Sequence, residues 1–140
     1  MNKNNFIVDN ITWEEYNQTV KNLAKSIIKS LVTFDYICGI ARGGLIPAVM
    51  LSHILEKPLI SQNQLLYGPT TLVVDDIADS GKTLYNYSGY DKIYTATVFF
   101  KACSSVVPNF YGKEVDPEHW IMFPYEQKTN DLVSKVNLNE

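Results

Sequence analysis

Apolar residues recur along this chain with two periods. Tyr16, Val20, Leu23, Ile27 and Leu31 stand three or four apart, which predicts an amphipathic helix. Its start is marked by Thr12-Trp13-Glu14-Glu15, in which the threonine hydroxyl can accept from the third helical amide while the glutamate reaches back. Lys21, Lys25 and Lys29 form a stripe on another face and read as a solvated surface. Elsewhere the apolar runs are short and rich in β-branched residues. Residues 36–40, 71–74 and 94–100 have the form of strands buried on both faces. Residues 45–55 read as a helix, with Pro47 in its first turn and Met50, Leu51 and Ile54 on the buried side. A short helix over 83–87 should end near Gly89. Strands alternating with helices predict an α/β fold, a mostly parallel twisted sheet flanked by helices. Residues 59–66 fit neither period clearly, Pro108 and Gly112 mark a loop, and the tail from Gln127 is polar and frayed at its end.

Composition narrows the class. The 140 residues suit one domain, 1–140, and with 46% hydrophobic and 19% charged residues neither disorder nor a fibrous class is suggested. A net charge of −3 argues against non-specific nucleic-acid binding, since there is no excess of cations to displace phosphate counterions. No apolar run reaches membrane-spanning length and no signal-peptide core follows Met1, so the expected setting is the cytoplasm, without a membrane partner. Cys38 and Cys103 lie among apolar neighbours and read as reduced core residues.

The chemistry concentrates in one run. After the strand at 71–74 come two adjacent carboxylates, Asp75 and Asp76, and then Asp79-Ser80-Gly81-Lys82-Thr83, a small polar turn that can present successive amides to a phosphate. Such a run suits a ligand with hydroxyls or a metal at one end and a phosphate at the other, as in a sugar phosphate. Gly81-Lys82-Thr83 also matches the end of a nucleotide P-loop, but that motif needs glycine where Asp76 stands. A second strand, at 36–40, leads into Ala41-Arg42-Gly43-Gly44, and Arg42 is the one arginine in the chain. A bidentate phosphate contact would fall there. Both loops follow strands, so a parallel sheet would bring them to the same carboxyl edge.

The run from Val73 to Thr83 resembles the phosphoribosyl diphosphate signature of the type I phosphoribosyltransferases, and Ala41-Arg42-Gly43-Gly44 resembles their diphosphate loop. Phe99-Phe100-Lys101 and Trp120-Ile121-Met122-Phe123-Pro124-Tyr125-Glu126 are similar to base-binding segments of the xanthine-guanine members. The resemblance implies transfer of ribose-5-phosphate from phosphoribosyl diphosphate to a free 6-oxopurine, with a small C-terminal hood over the base. Arg42, Gly43 and Gly44 would then receive the diphosphate, and Asp75 and Asp76 the ribose hydroxyls and Mg²⁺. Ser80, Gly81, Lys82 and Thr83 would hold the 5-phosphate, Asp79 would act as general acid/base, and Lys101, Trp120 and Ile121 would meet the base. A homodimer or homotetramer is implied as well. One departure stands out: the segment 62–69 is too short for the flexible lid common in the family. That favours, as the alternative, a regulatory module that binds phosphoribosyl diphosphate or nucleotides without efficient catalysis, whereas Asp79 favours the enzyme. Adenine or a pyrimidine remains open as the base.

Overall fold

The computed structural model describes residues 7–67 and 70–126. Its main sheet has five parallel strands, β2 (Tyr36–Gly39), β3 (Leu59–Ile60), β4 (Thr71–Ala78), β5 (Ile93–Lys101) and β6 (Phe110–Val115), in the order β3-β2-β4-β5-β6. A separate parallel pair joins β1 (Ile7–Asn10) to β7 (His119–Met122), with Ile7 opposite His119 and Asn10 opposite Met122. Three α-helices intervene: α1 (Trp13–Ser30), α2 (Leu45–Leu55) and α3 (Lys82–Tyr85). Helix α1 packs on β5 and β6, α2 on β2 and β4, and α3 on β4. This is the expected α/β layout.

Helix α1 starts where the capping box places it. The Thr12 hydroxyl accepts from the Glu15 amide at 3.0 Å, and the Glu15 side chain closes back on Thr12. Tyr16, Val20, Leu23 and Ile27 are buried on the core side, and Lys21, Lys25 and Lys29 are exposed. Leu31 departs from the expected stripe: it is 85% exposed and takes the left-handed C-cap conformation that ends the helix. Helix α2 has the expected bounds, but the row it buries is Pro47, Ala48 and Leu51. Met50 is half-buried and Ile54 exposed, because the tight contact runs through Ala48, which lies 2.8 Å from where a side chain on Gly39 would begin.

Three elements differ from the sequence expectation. Strand β4 runs on through Asp75 and Asp76, so the acidic pair belongs to the strand's end rather than to the loop after it. Residues 110–115 form a strand where a loop was expected. As the last strand of the sheet, β6 tolerates the charges of Lys113 and Glu114, and Gly112 is there because a Cβ would come within 2.8 Å of the Thr19 carbonyl oxygen on α1. Its connection from β5, residues 102–109, is shorter than the roughly dozen residues usual between parallel strands. Strand β1 was not expected at all; Ile7 and Val8 are exposed and carry no periodic signal. Cys38 is buried, whereas Cys103 is exposed in the 102–109 connection. His119 bonds Asp9 of β1 through Nδ1 at 2.7 Å and has Nε2 3.7 Å from Asp116, and the Asp9 contact raises its pKa.

The tail from Gln127 and the end of the short segment, Gly68 and Pro69, lie outside the described residues. Among those described, no helix is long and apolar enough to cross a membrane.

Because Thr12 satisfies an otherwise orphaned amide at the start of α1, Thr12→Ala should destabilise the protein by about 1 kcal/mol. Chemical denaturation with an unchanged denaturant slope is the measurement, and a midpoint equal to the parent's would remove the cap from the account.

Candidate active site

Strands β2, β4 and β5 run parallel, so their carboxyl ends share one edge, and the candidate residues collect there. The first loop, from Ile40 to Gly44, is tied to the sheet by the Ile40 amide donating to the Val74 carbonyl at 2.9 Å, and it turns on a bond from the Gly44 amide to the Ile40 carbonyl at 2.8 Å. Its glycines are steric requirements. A Cβ on Gly43 would collide with the Asp76 carboxylate, and one on Gly44 would meet the Ile40 carbonyl oxygen at 2.6 Å. Ala41 and Arg42 are left exposed at the tip.

The acidic pair stands in the second half of β4, ahead of the second loop. The Asp76 amide donates to Asp75 Oδ1 and the Ile77 amide to Asp76 Oδ1, each at 2.8 Å. Both carboxylates are partly buried. Burial, together with the charge of Asp76 beside it, pushes the Asp75 carboxyl up from its ordinary 3.8 to about 7. Beyond the pair, Gly81 sits at φ +87°, in the left-handed region, and caps α3. A Cβ there would meet the hydroxyls of Ser104 and Ser105 at 2.7 and 2.6 Å, so the 102–109 connection lies directly on this turn. The Ser105 amide donates to the Ser80 carbonyl at 2.9 Å, and the Ser80 hydroxyl accepts from the Lys82 amide at 3.2 Å. Residues Asp75 to Leu84 line a cavity of about 230 Å³.

Lys101 closes the site from the end of β5. It is not a solvated strand-end lysine: its side chain is 3% exposed, and Nζ donates to Asp79 Oδ2 at 3.3 Å. The structure thus brings together two residues that the sequence suggested for different tasks. The hood residues divide. Trp120 is half-buried in β7 opposite Val8, while Ile121 is 6% exposed and belongs to the main core, so its side chain packs rather than facing the loops.

Two residues outside the expected set enter the site. The Gln62 side chain accepts from the Ala41 amide at 3.1 Å and donates to the Tyr87 hydroxyl at 3.0 Å, so the 3-10 turn Gln62–Tyr67 is fastened to the diphosphate-loop candidate. Tyr125, in the turn Pro124–Glu126, donates to Asp76 Oδ2 at 3.3 Å. The segment containing Tyr125 was legible as a base-binding candidate; its carboxylate partner, far away in sequence, was not.

No family model matches the chain. The xanthine-guanine phosphoribosyltransferase of Nitratidesulfovibrio vulgaris is 27% identical over 147 aligned residues, spanning 91% of this chain and 90% of the relative. The enzyme of that name from Cereibacter sphaeroides is 31% identical over 113, spanning 64% of this chain and 68% of its own. Among solved structures, a purine phosphoribosyltransferase from Pyrococcus horikoshii superposes with a TM-score of 0.71 at 32% identity, covering 86% of this chain and 95% of that one. The chain belongs to the purine phosphoribosyltransferases, of type I fold.

The raised Asp75 carboxyl has a consequence for stability. In the unfolded chain it ionises near its ordinary 3.8, in the folded protein near 7, so the unfolded state gives up the proton first as pH rises. Its contribution is therefore fully present below about pH 4, falls between about 4 and 7, and is gone above. Asp75→Asn, which keeps an acceptor for the Asp76 amide, should melt about 3–6 °C above the parent at pH 8 in chelator-treated buffer, the effect of ~1 kcal/mol in a domain of this size. The gap should close toward pH 5. Identical melting curves at both pH values would show that the pair carries no such strain.

Proposed function

We propose that this chain transfers the 5-phosphoribosyl group of phosphoribosyl diphosphate to a ring nitrogen of a free 6-oxopurine, releasing diphosphate. The observation that carries the reading is the meeting, at one sheet edge, of the Asp75–Asp76 pair with Gly43 of one loop and with the Asp79 to Thr83 turn of the other. The names of the relatives, xanthine-guanine and purine phosphoribosyltransferases, support the choice of base.

In this reading Arg42 and the backbone of Gly43 and Gly44 receive the diphosphate. Asp75 and Asp76 hold the ribose hydroxyls, and the turn from Ser80 to Thr83 holds the 5-phosphate with its free amides, its hydroxyls and the charge of Lys82. The base nitrogen bonds to C1 of the ribose as the bond from C1 to the diphosphate oxygen breaks. Diphosphate leaves with the bonding pair, positive charge develops on the sugar, and the two carboxylates below stabilise it. The proton carried by the base nitrogen passes to Asp79, which Lys101 holds in one orientation. Lys101 and Trp120 serve the base, and Ile121 serves it through its backbone.

The acidic pair fits Mg²⁺. It offers hard oxygen donors whose mutual repulsion a divalent cation would relieve, and among the described residues no group of three or more metal-ligating side chains forms a complete cage. Mg²⁺ is usually held in this way, by one or two carboxylates together with substrate phosphates. When bound to Asp75 and Asp76, directly or through water, it would neutralise and orient the leaving diphosphate. The setting that goes with this reading is the cytoplasm, and the assembly a homodimer or homotetramer.

A second reading is kept by one observation: the segment after β3 is short and fastened at its root by Gln62, which leaves few residues for a mobile cover that excludes water from such a site. A regulatory module of this fold would bind phosphoribosyl diphosphate without turning it over.

Diphosphate release, measured with phosphoribosyl diphosphate and Mg²⁺ against guanine, xanthine and hypoxanthine, separates the two. Release with at least one base is expected, and binding without release across the panel would leave the regulatory reading standing. Asp79→Asn retains an acceptor for Lys101. It should keep phosphoribosyl diphosphate binding while lowering turnover by roughly two to four orders of magnitude, and turnover equal to the parent's would take Asp79 out of the mechanism.

A further inference from the structure

We infer that Tyr125 is a positioning residue for Asp76, through which the C-terminal hood fixes the carboxylate that receives the ribose. The inference rests on the phosphoribosyl-transfer reading. Asp76 Oδ1 is held by the Ile77 amide at 2.8 Å, and Oδ2 accepts from the Tyr125 hydroxyl at 3.3 Å. Among the described residues no other donor is bonded to Oδ2. At 3.3 Å the bond is long for two oxygens.

What makes it a positioning contact is that the tyrosine has little freedom. Its ring stacks on Phe123 at 5.3 Å and 12°, meets Tyr16 edge-on at 5.8 Å and 89°, and is flanked by Trp13 at 6.1 Å. Tyr16 is fully buried, so the ring against which Tyr125 leans is itself held by the core. Four rings from α1 and the hood therefore aim one hydroxyl at one oxygen. Gly43 lies against the same carboxylate, so a rotated Asp76 would disturb the diphosphate loop as well. The hood, whose expected task is to hold the base, is thereby joined to the opposite end of the site.

Tyr125→Phe keeps the ring stack and deletes the hydroxyl. Calorimetry with phosphoribosyl diphosphate and Mg²⁺, without base, should show binding weakened about tenfold, the loss expected for one hydrogen bond to a charged group. In steady state the KM for phosphoribosyl diphosphate should rise by the same factor, while the KM for the base stays within about twofold. Damage to the hood's packing would move the base KM instead. Tyr125→Trp, which keeps an aromatic ring and offers an N–H, should lie between Tyr125→Phe and the parent, and thermal melts of both variants separate loss of the hydroxyl from loss of fold. Unchanged binding in Tyr125→Phe, or a base KM that moves as far as that for phosphoribosyl diphosphate, overturns the inference. A parent protein that binds no phosphoribosyl diphosphate overturns the functional reading and the inference with it.

Discussion

The Asp76 carboxylate fills the space that a side chain at position 43 would need. That single close approach sets the geometry of the site. Strands β2 and β4 are adjacent and parallel, so the loop leaving one must pass over the end of the other, and glycine lets the 40–44 loop pass directly against the acidic pair. The bond from the Ile40 amide to the Val74 carbonyl holds the two strand ends in that register. A bulkier residue at 43 would push the two loops apart.

Crowding two carboxylates at the end of a buried strand is costly, and the protein meets the cost locally. The amides of Asp76 and Ile77 turn to the carboxylates, and Tyr125 supplies a third donor from the hood. What is left over appears as the raised Asp75 carboxyl, lifted by burial and by the charge of Asp76. The second charged feature, Lys101 with Asp79, follows a different logic. A lysine buried at the end of β5 needs an anion, and Asp79 on the neighbouring loop supplies one, which ties the acid/base candidate to β5.

The short segment after β3 changes how such a site is covered. Gln62 links the Ala41 amide to the Tyr87 hydroxyl, so the segment's root is a brace between the 40–44 loop and the turn after α3. The connection 102–109 braces the other side through Ser104 and Ser105 on Gly81. Preorganisation of this kind lowers the ordering cost of binding, but a fixed brace cannot fold down over the ligand.

The sequence by itself determined the parts whose cause is local. Helix α1 and its cap, the bounds of α2, the first half of strand β4 and the two glycine turns could be read from spacing and residue type, since period, capping and turn chemistry act within a few residues. Tertiary structure decided the rest. Strand β1 exists through its pairing with β7, and β6 was hidden by Gly112, whose reason is Thr19 on a helix far away in the chain. The partners of Lys101, Gln62, His119 and Tyr125 are likewise set by which strand lies beside which. A hydrogen bond between residues dozens of positions apart leaves no periodic trace in sequence, because what selects it is a distance that exists only after the sheet has formed.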